Sequence, residues 1–344
     1  MTSAQPASSA PNPALVWDAF NAYQKTAALK AAIELDLFTA IADGANAAQT
    51  ISSRCNASQR GVRILCDYLT VAGFLSKEAE RYSLTPTSDV FLNRHSPACM
   101  CSAVHFINSP GLMSGFSDLT ETVRRGTTVL SHGGTTEPEF SGWETFAESM
   151  MPIVAPATRF VGEVAVANGN TPRRVLDIAA GHGMFGISVA RHAPQAEIVA
   201  QDWPNVLKVA QKNAQAAGIT DRYRLLPGDA FEVEFGGGYD LALLTNFLHH
   251  FDEPTCETLL KKLSAALNPG ARVFTVEFVP NEDRVSPDIP ATFALMMLGT
   301  TPNGDAYTLE QFRRMFGAAG FTGHELLSIP QSPQQLIIST KPQK

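Results

Sequence analysis

The chain has 344 residues, 44% of them hydrophobic, and a formal net charge of −7. That length is too great for one comfortable core and suggests two domains, with apolar residues ample to bury both. The acidic balance excludes a phosphate-rich partner held by overall attraction, and five scattered cysteines (Cys55, Cys66, Cys99, Cys101, Cys256) argue against a disulfide framework and for a reducing compartment.

Residues 1 to 12 are polar and rich in Pro and Ser, which predicts a disordered tail. No basic region followed by an apolar stretch opens the chain, and no uninterrupted apolar run is long enough to span a bilayer. The expectation is a cytoplasmic protein without membrane association. A first, mainly helical domain is expected over residues 13 to 110. Trp17, Phe20, Tyr23, Ala27 and Leu29 recur at helical spacing, and the first three would be oddly exposed in a monomer, which predicts a homodimer.

Residues 48 to 54 and 58 to 72 then read as two helices, stopped by Gly73 and followed by a small hairpin over residues 74 to 84. The order is that of a winged helix. A DNA reader would use Arg60 and Arg63, but the same helix carries Asp67 and the apolar Val62, Ile64, Leu65, Leu69 and Val71, a composition that prefers burial. The expected role is dimerisation, with no nucleic-acid partner.

The second domain, residues 111 to 344, is expected to join connecting helices to a catalytic sheet. A Gly/Thr-rich interruption at residues 126 to 136 reads as a loop. Beyond it Trp143, Phe146, Met150, Met151 and Ile153 share a helix. Apolar stripes of this kind usually pack, but methionines also suit pockets for flat apolar ligands. From Thr171 onward strands near Arg174, Glu197, Tyr223, Tyr239 and Arg272 alternate with helices near Met184, Val206, Pro254 and Leu309. The fold class is therefore α/β, a Rossmann-like doubly wound sheet. Its end departs from alternation: residues 323 to 329 and 334 to 339 are two apolar runs joined by Pro330-Gln-Ser-Pro333, a terminal antiparallel hairpin.

Within that domain the run Val175-Leu-Asp-Ile-Ala-Ala-Gly-His-Gly183-Met-Phe-Gly186 is a strand that ends in an acid and turns through glycines into a helix. Gly181 and Gly183 admit positive φ and close approach of a ligand. The glycines match a dinucleotide-binding pattern, with Asp202 at the distance of a ribose-binding acid. A carboxylate at Asp177 would repel a pyrophosphate, however, and attract the amino-acid part and sulfonium of S-adenosylmethionine. Asp202, after a second strand, suits ribose hydroxyls, with Trp203 over an adenine. Asp229, after a third, suits the adenine amino group, with Phe231 on the ring. Taken singly, each acid also suits a helix cap or a turn; together they follow three strand ends on one edge of a sheet.

With these motifs on the page, residues 14 to 340 resemble the two-domain class I O-methyltransferases related to hydroxyindole and caffeic acid O-methyltransferases. Residues 175 to 183 look like their first motif, Gln201-Asp-Trp-Pro204 like their ribose segment and Gly228-Asp-Ala-Phe231 like their adenine segment. The stretch from Thr245 to Cys256 looks like the one that holds their catalytic histidine. The resemblance implies S-adenosylmethionine as cofactor, held by Asp177, Gly181, Gly183, Asp202, Trp203, Asp229, Ala230, Phe231 and Thr245. It also implies a general base, His249, oriented by Glu277.

Chemistry asks for the same base, because a phenol has a free pKa near 10 and must lose its proton to accept a methyl. His250 is the weaker candidate for that role. Trp143, Phe146, Met150, Met151, Phe247, His250, Phe293, Met296 and Met297 are expected to line the acceptor pocket, with the acceptor an aromatic or polycyclic hydroxyl. No metal is expected, since no acid cluster stands apart from the cofactor set.

The sequence departs from the family at several places. Ala306 stands where a second acid would support the histidine, with Asp305 beside it as a substitute. Thr245 replaces a lysine, Ala230 a methionine, Ala179 a glycine and His182 a threonine. Transfer to carbon on the same fold, a nicotinamide dehydrogenase and a winged-helix regulator stay open as alternatives.

Overall fold

The computed structural model describes residues 11 to 343, so the expected tail lies outside the described residues except for Pro11 and Asn12. The chain divides into two compact units between Val104 and His105.

In the first unit, helix α1 (Ala14–Glu34) buries only Ala32 and Ile33, near its end. Its N-terminal half presents Leu15, Trp17, Phe20 and Tyr23 to solvent, with Trp17 62% and Phe20 68% exposed. Helices α2 (Leu37–Ala42), α3 (Ala48–Arg54) and α4 (Gln59–Val71) close a core around Phe38, Ile51, Val62, Cys66, Leu69 and Tyr82. Ser58 caps α4 by accepting from the Gly61 amide at 3.0 Å. Strands β1 (Leu75–Glu78) and β2 (Arg81–Leu84) pair antiparallel, and helix α5 (Pro86–Phe91) follows. Asp67 on α4 collects Arg63 at 2.9 Å, Lys77 at 2.7 Å and the Tyr82 hydroxyl at 2.8 Å. One of the two arginines that a DNA reader would need is thus already paired within its own helix.

Helix α6 (Val104–Ile107) begins on the last residue of the first unit, and the short helices α7 (Pro110–Ser114) and α8 (Leu119–Arg125) follow in the second. Helices α9 (Gly142–Ser149) and α10 (Met151–Val166) follow, meeting at a 68° bend. Among the described residues no single helix is long and apolar enough to cross a membrane.

The remainder alternates: β3 (Arg174–Ile178), α11 (Met184–His192), β4 (Glu197–Asp202), α12 (Pro204–Ala216), β5 (Tyr223–Pro227), β6 (Tyr239–Thr245), α13 (Glu253–Ala266) and β7 (Leu267–Glu277). Helices α14 (Asp288–Thr300) and α15 (Leu309–Ala318) precede the final strands β8 (Thr322–Ser328) and β9 (Gln335–Thr340). The seven-stranded sheet has the order β5-β4-β3-β6-β7-β9-β8, parallel except for the terminal hairpin, where β9 runs antiparallel to β7 and β8.

Side-chain alternation sends Val175, Leu241 and Phe274 into one core and Leu176, Leu244 and Val273 into another on the opposite face. The strand order reverses at β3. Parallel neighbours therefore open a crevice at the carboxyl ends of β3, β4 and β6, the place where such sheets receive nucleotides.

Candidate active site

A cavity of about 520 Å³ occupies that crevice. At its sheet edge the chain leaves β3 through Ala179 (φ 52°), Gly181 (φ 57°) and Gly183 (φ 73°). Ala179 adopts a conformation that L residues rarely take. Its amide donates to the Gln201 side chain at 3.3 Å, and the Ala180 amide donates to the Gln201 carbonyl at 3.0 Å. The side-chain nitrogen of Gln201 donates to the Gly228 carbonyl at 2.5 Å, so one residue ties the first turn to the third.

Asp202 works alongside it. Its Oδ2 accepts from the Gly181 amide at 2.8 Å and its Oδ1 from the Trp203 amide at 2.7 Å. Burial pushes this carboxyl up to about 6 in spite of those two donors. Asp229 accepts from the Phe231 amide at 2.8 Å. Gly181, Asp202, Trp203, Asp229, Ala230, Phe231 and Thr245 all line the cavity.

His249 sits just past β6, and Glu277 ends the adjacent parallel strand β7. The register therefore brings them together from 28 positions apart. His249 Nδ1 lies 2.5 Å from Glu277 Oε2, while Oε1 of the same carboxyl accepts from the Phe247 and Leu248 amides, each at 3.1 Å. A carboxylate that collects donors in this way fixes Nδ1 as the protonated nitrogen and leaves Nε2 as an acceptor. Both side chains are buried, yet His249 belongs to the cavity wall and Glu277 stands behind it. Phe293 meets the His249 ring edge to face at 4.9 Å.

The His250 ring lies 4.3 Å from that of His249 and 5.1 Å, edge to face, from Trp143. Its Nδ1 has no partner among the described residues. Burial, and next the adjacent His249, hold its pKa well below the ordinary range, so the ring is neutral. Trp143, Phe146, Met150, Phe247, Phe293, Met296 and Met297 belong to the apolar part of the wall.

Four residues depart from their expected places. Asp177 does not reach the cavity: it is fully buried under the glycine turn, with Oδ2 accepting from the Gly186 amide at 3.0 Å. Burial pushes its pKa up to about 8, so it offers no fixed negative charge at neutral pH. Gly183 also lies off the wall; a Cβ there would overlap the Tyr223 hydroxyl, so this glycine serves packing. Met151 turns away, its sulfur 3.5 Å from the Asn213 amide, because the bend into α10 points it at α12. Asp305 donates its amide to the His249 carbonyl at 3.0 Å, but its carboxylate pairs with Arg284 at 3.1 Å and does not support the His249 ring. Ala306 is buried and adds no acid there.

Other parts of the wall had no signal in the sequence analysis. Phe278 stacks on Phe293 with centroids 4.1 Å apart. Gln334, from the β8–β9 connection, bonds Asn246 and lines the cavity with Ser332 and Pro333. The loop expected only as an interruption is strapped to the end of α14: Thr128 Oγ1 donates to the Gly299 carbonyl at 2.6 Å and Thr135 Oγ1 to the Thr300 carbonyl at 3.2 Å. The indole nitrogen of Trp143 donates to the Thr135 carbonyl at 3.1 Å, which carries Thr135, Thr136 and Glu137 onto the wall.

Comparison with known proteins gives two family matches. Residues 141–322 match the O-methyltransferase domain and residues 17–94 the O-methyltransferase dimerisation domain. The chain is similar to a candidate O-methyltransferase of Nostoc punctiforme of known crystal structure, at 47% identity and a TM-score of 0.94, covering 96% of this chain and all of that one. It is similar to the tetracenomycin polyketide synthesis 8-O-methyl transferase of Streptomyces glaucescens, 27% identical over 335 residues, which is 93% of this chain and 94% of that protein. It shares its fold with human N-acetylserotonin methyltransferase, solved with S-adenosylmethionine, at 20% identity, a TM-score of 0.81 and coverage of 97% and 99%.

Proposed function

This chain belongs to the O-methyltransferase family, with S-adenosylmethionine as its methyl donor, and we propose that it methylates a hydroxyl of an aromatic or polycyclic small molecule with His249 as general base. The observation that carries this reading is the buried His249–Glu277 pair, whose outer nitrogen faces an aromatic cavity beside the sheet edge.

The donor set fits the cofactor. Asp202 and Asp229 keep acceptor capacity beyond their backbone partners, as ribose hydroxyls and an adenine amino group require. Among the described residues no lysine or arginine lines the cavity, which suits a cationic ligand and not a phosphorylated one. A Cβ at Gly186 would meet Asp177 Oδ2 at 2.7 Å and Ile198 at 2.8 Å, so this glycine closes helix on strand, as it would for either class of ligand. Trp203 and Phe231 offer faces for the adenine.

When bound, the cofactor supplies a methyl group on a positively charged sulfur. Glu277 holds the imidazole in the tautomer whose Nε2 can accept a proton. His249 Nε2 removes the proton of the acceptor hydroxyl as the oxygen takes the methyl and the carbon–sulfur bond breaks, which leaves a neutral thioether and a protonated histidine. The resulting imidazolium is stabilised by the carboxylate already in contact with it. Phe247, Phe293, Met296 and Met297 exclude water from a step in which a cation and an anion neutralise one another. Alignment of oxygen, methyl and sulfur is the larger part of the protein's task.

Through its dimerisation domain the protein pairs as a homodimer in this reading, with the exposed Trp17, Phe20 and Tyr23 stripe as the contact. Incubation with methyl-labelled S-adenosylmethionine and a panel of phenols tests the function. Label recovered as an aryl methyl ether supports it; label on ring carbon, or none on any phenol, defeats it.

A further inference from the structure

Every ionisable side chain on the cavity wall, apart from the two histidines, is a carboxyl group: Asp202, Asp229 and Glu137. The first two stand at the sheet edge with backbone donors. Glu137 stands on the strap that carries Thr135, and among the described residues its carboxylate has neither hydrogen bond nor ion pair. No lysine or arginine among the described residues reaches the wall to balance it, and His250 is neutral.

Glu137 is also linked in space to the reacting end. His249 touches His250, His250 meets the edge of Trp143, and the Trp143 indole is hydrogen-bonded to Thr135, two positions before Glu137. A flat acceptor with its hydroxyl at His249 and its body along Trp143 therefore extends toward this free carboxylate.

A second anion brought there would lose water, meet a like charge and find no cation, each of which opposes binding. A nitrogen donor would replace lost water with a charge-assisted hydrogen bond. We infer that the acceptor presents a nitrogen hydrogen-bond donor, as an amine or an N–H group, to Glu137 at the end remote from its methylated hydroxyl, and that phenols carrying a carboxylate at that end are refused. This rests on the proposed function only in placing the hydroxyl at His249.

Three hydroxynaphthalenes that differ in one remote substituent, aminomethyl, carboxamide or carboxylate, provide the test. Binding is measured calorimetrically to protein saturated with S-adenosylhomocysteine, so the comparison holds even if no methyl transfer to naphthols is seen. Transfer to the same compounds is assayed separately and reports on the function itself. The aminomethyl and carboxamide compounds should each bind at least about tenfold tighter than the carboxylate, about the effect of one charged contact. Glu137→Gln should reduce the aminomethyl-to-carboxylate ratio at least about fivefold, and circular dichroism verifies its fold. A carboxylate that binds as tightly as the other two, or a ratio unchanged in Glu137→Gln, overturns the inference.

Discussion

Glu277 binds His249 with one oxygen at 2.5 Å and uses the other to gather the two amides that begin the turn containing His249. The same carboxylate thus sets the ring's tautomer and the backbone beneath it. Ring and support come from adjacent strands, so the sheet register fixes their relationship.

Removing the base should cost more than loosening it. His249→Ala should lower kcat by about 10²-fold or more. Glu277→Gln should lower it by about tenfold or more, since the amide keeps the shape and loses the charge that opposes the imidazolium. Affinity for S-adenosylhomocysteine should remain within about twofold in both variants. Labelled methyl transfer and calorimetry check these outcomes; full turnover in both variants removes the base assignment.

Asp202→Asn should weaken cofactor binding by about tenfold or more, because the side chain keeps one acceptor oxygen for two backbone amides and a ligand. Asp229→Asn should have a smaller effect, as only one backbone donor depends on it. Unchanged affinity in Asp202→Asn would place the ribose elsewhere.

The buried Asp177 makes the cofactor-free protein sensitive to pH. Its carboxyl is raised to about 8, so folding favours the protonated form and stability falls as pH climbs from the ordinary carboxyl range through 8. Asp202, raised to about 6, acts in the same direction but is exhausted above that value. His182 and His250 are lowered by burial; their effect appears only below 6.5 and has the opposite sign, with stability lost as pH falls. The interval from pH 6.5 to 8 therefore reports Asp177. Asp177→Asn, which still accepts from Gly186, should flatten the decline of melting temperature there and gain several degrees over the parent at pH 8. Parallel curves for the two proteins would exclude this account.

Trp17→Asp with Phe20→Asp should convert a dimer to a monomer in analytical ultracentrifugation, since both side chains are mostly exposed in the single chain and neither supports its core. Monomeric parent protein would refute the assigned contact.

Much of the fold was legible because local signals and tertiary structure agree. The strand expected near Glu197 and leading to Asp202 is β4 (Glu197–Asp202), and the terminal hairpin follows from two apolar runs too close together for a crossover helix. That Asp202 and Asp229 line the cavity at the sheet edge was legible from acids that follow strands. Asp177 was misplaced for a reason intrinsic to the pattern: β3 continues one residue beyond it, and alternation turns its side chain beneath the sheet edge, onto α11. The apolar wall was legible only in part: Trp143, Phe146, Met150, Phe293, Met296 and Met297 line it as expected. Phe278, Gln334 and Glu137 reach it through contacts that no local periodicity encodes, and a Gly/Thr-rich segment says that the chain turns without saying what it turns against.

That segment is held by hydroxyls that meet the last carbonyls of a helix up to 171 positions away, and Gly134 is required because a Cβ would overlap the Thr300 carbonyl. Strap and helix end are consequently one inseparable panel. Removing the threonine hydroxyls leaves the last helix carbonyls without those donors, so a change in the strap is felt at the helix end that carries Met296 and Met297 onto the wall, while the sheet edge shares none of these bonds.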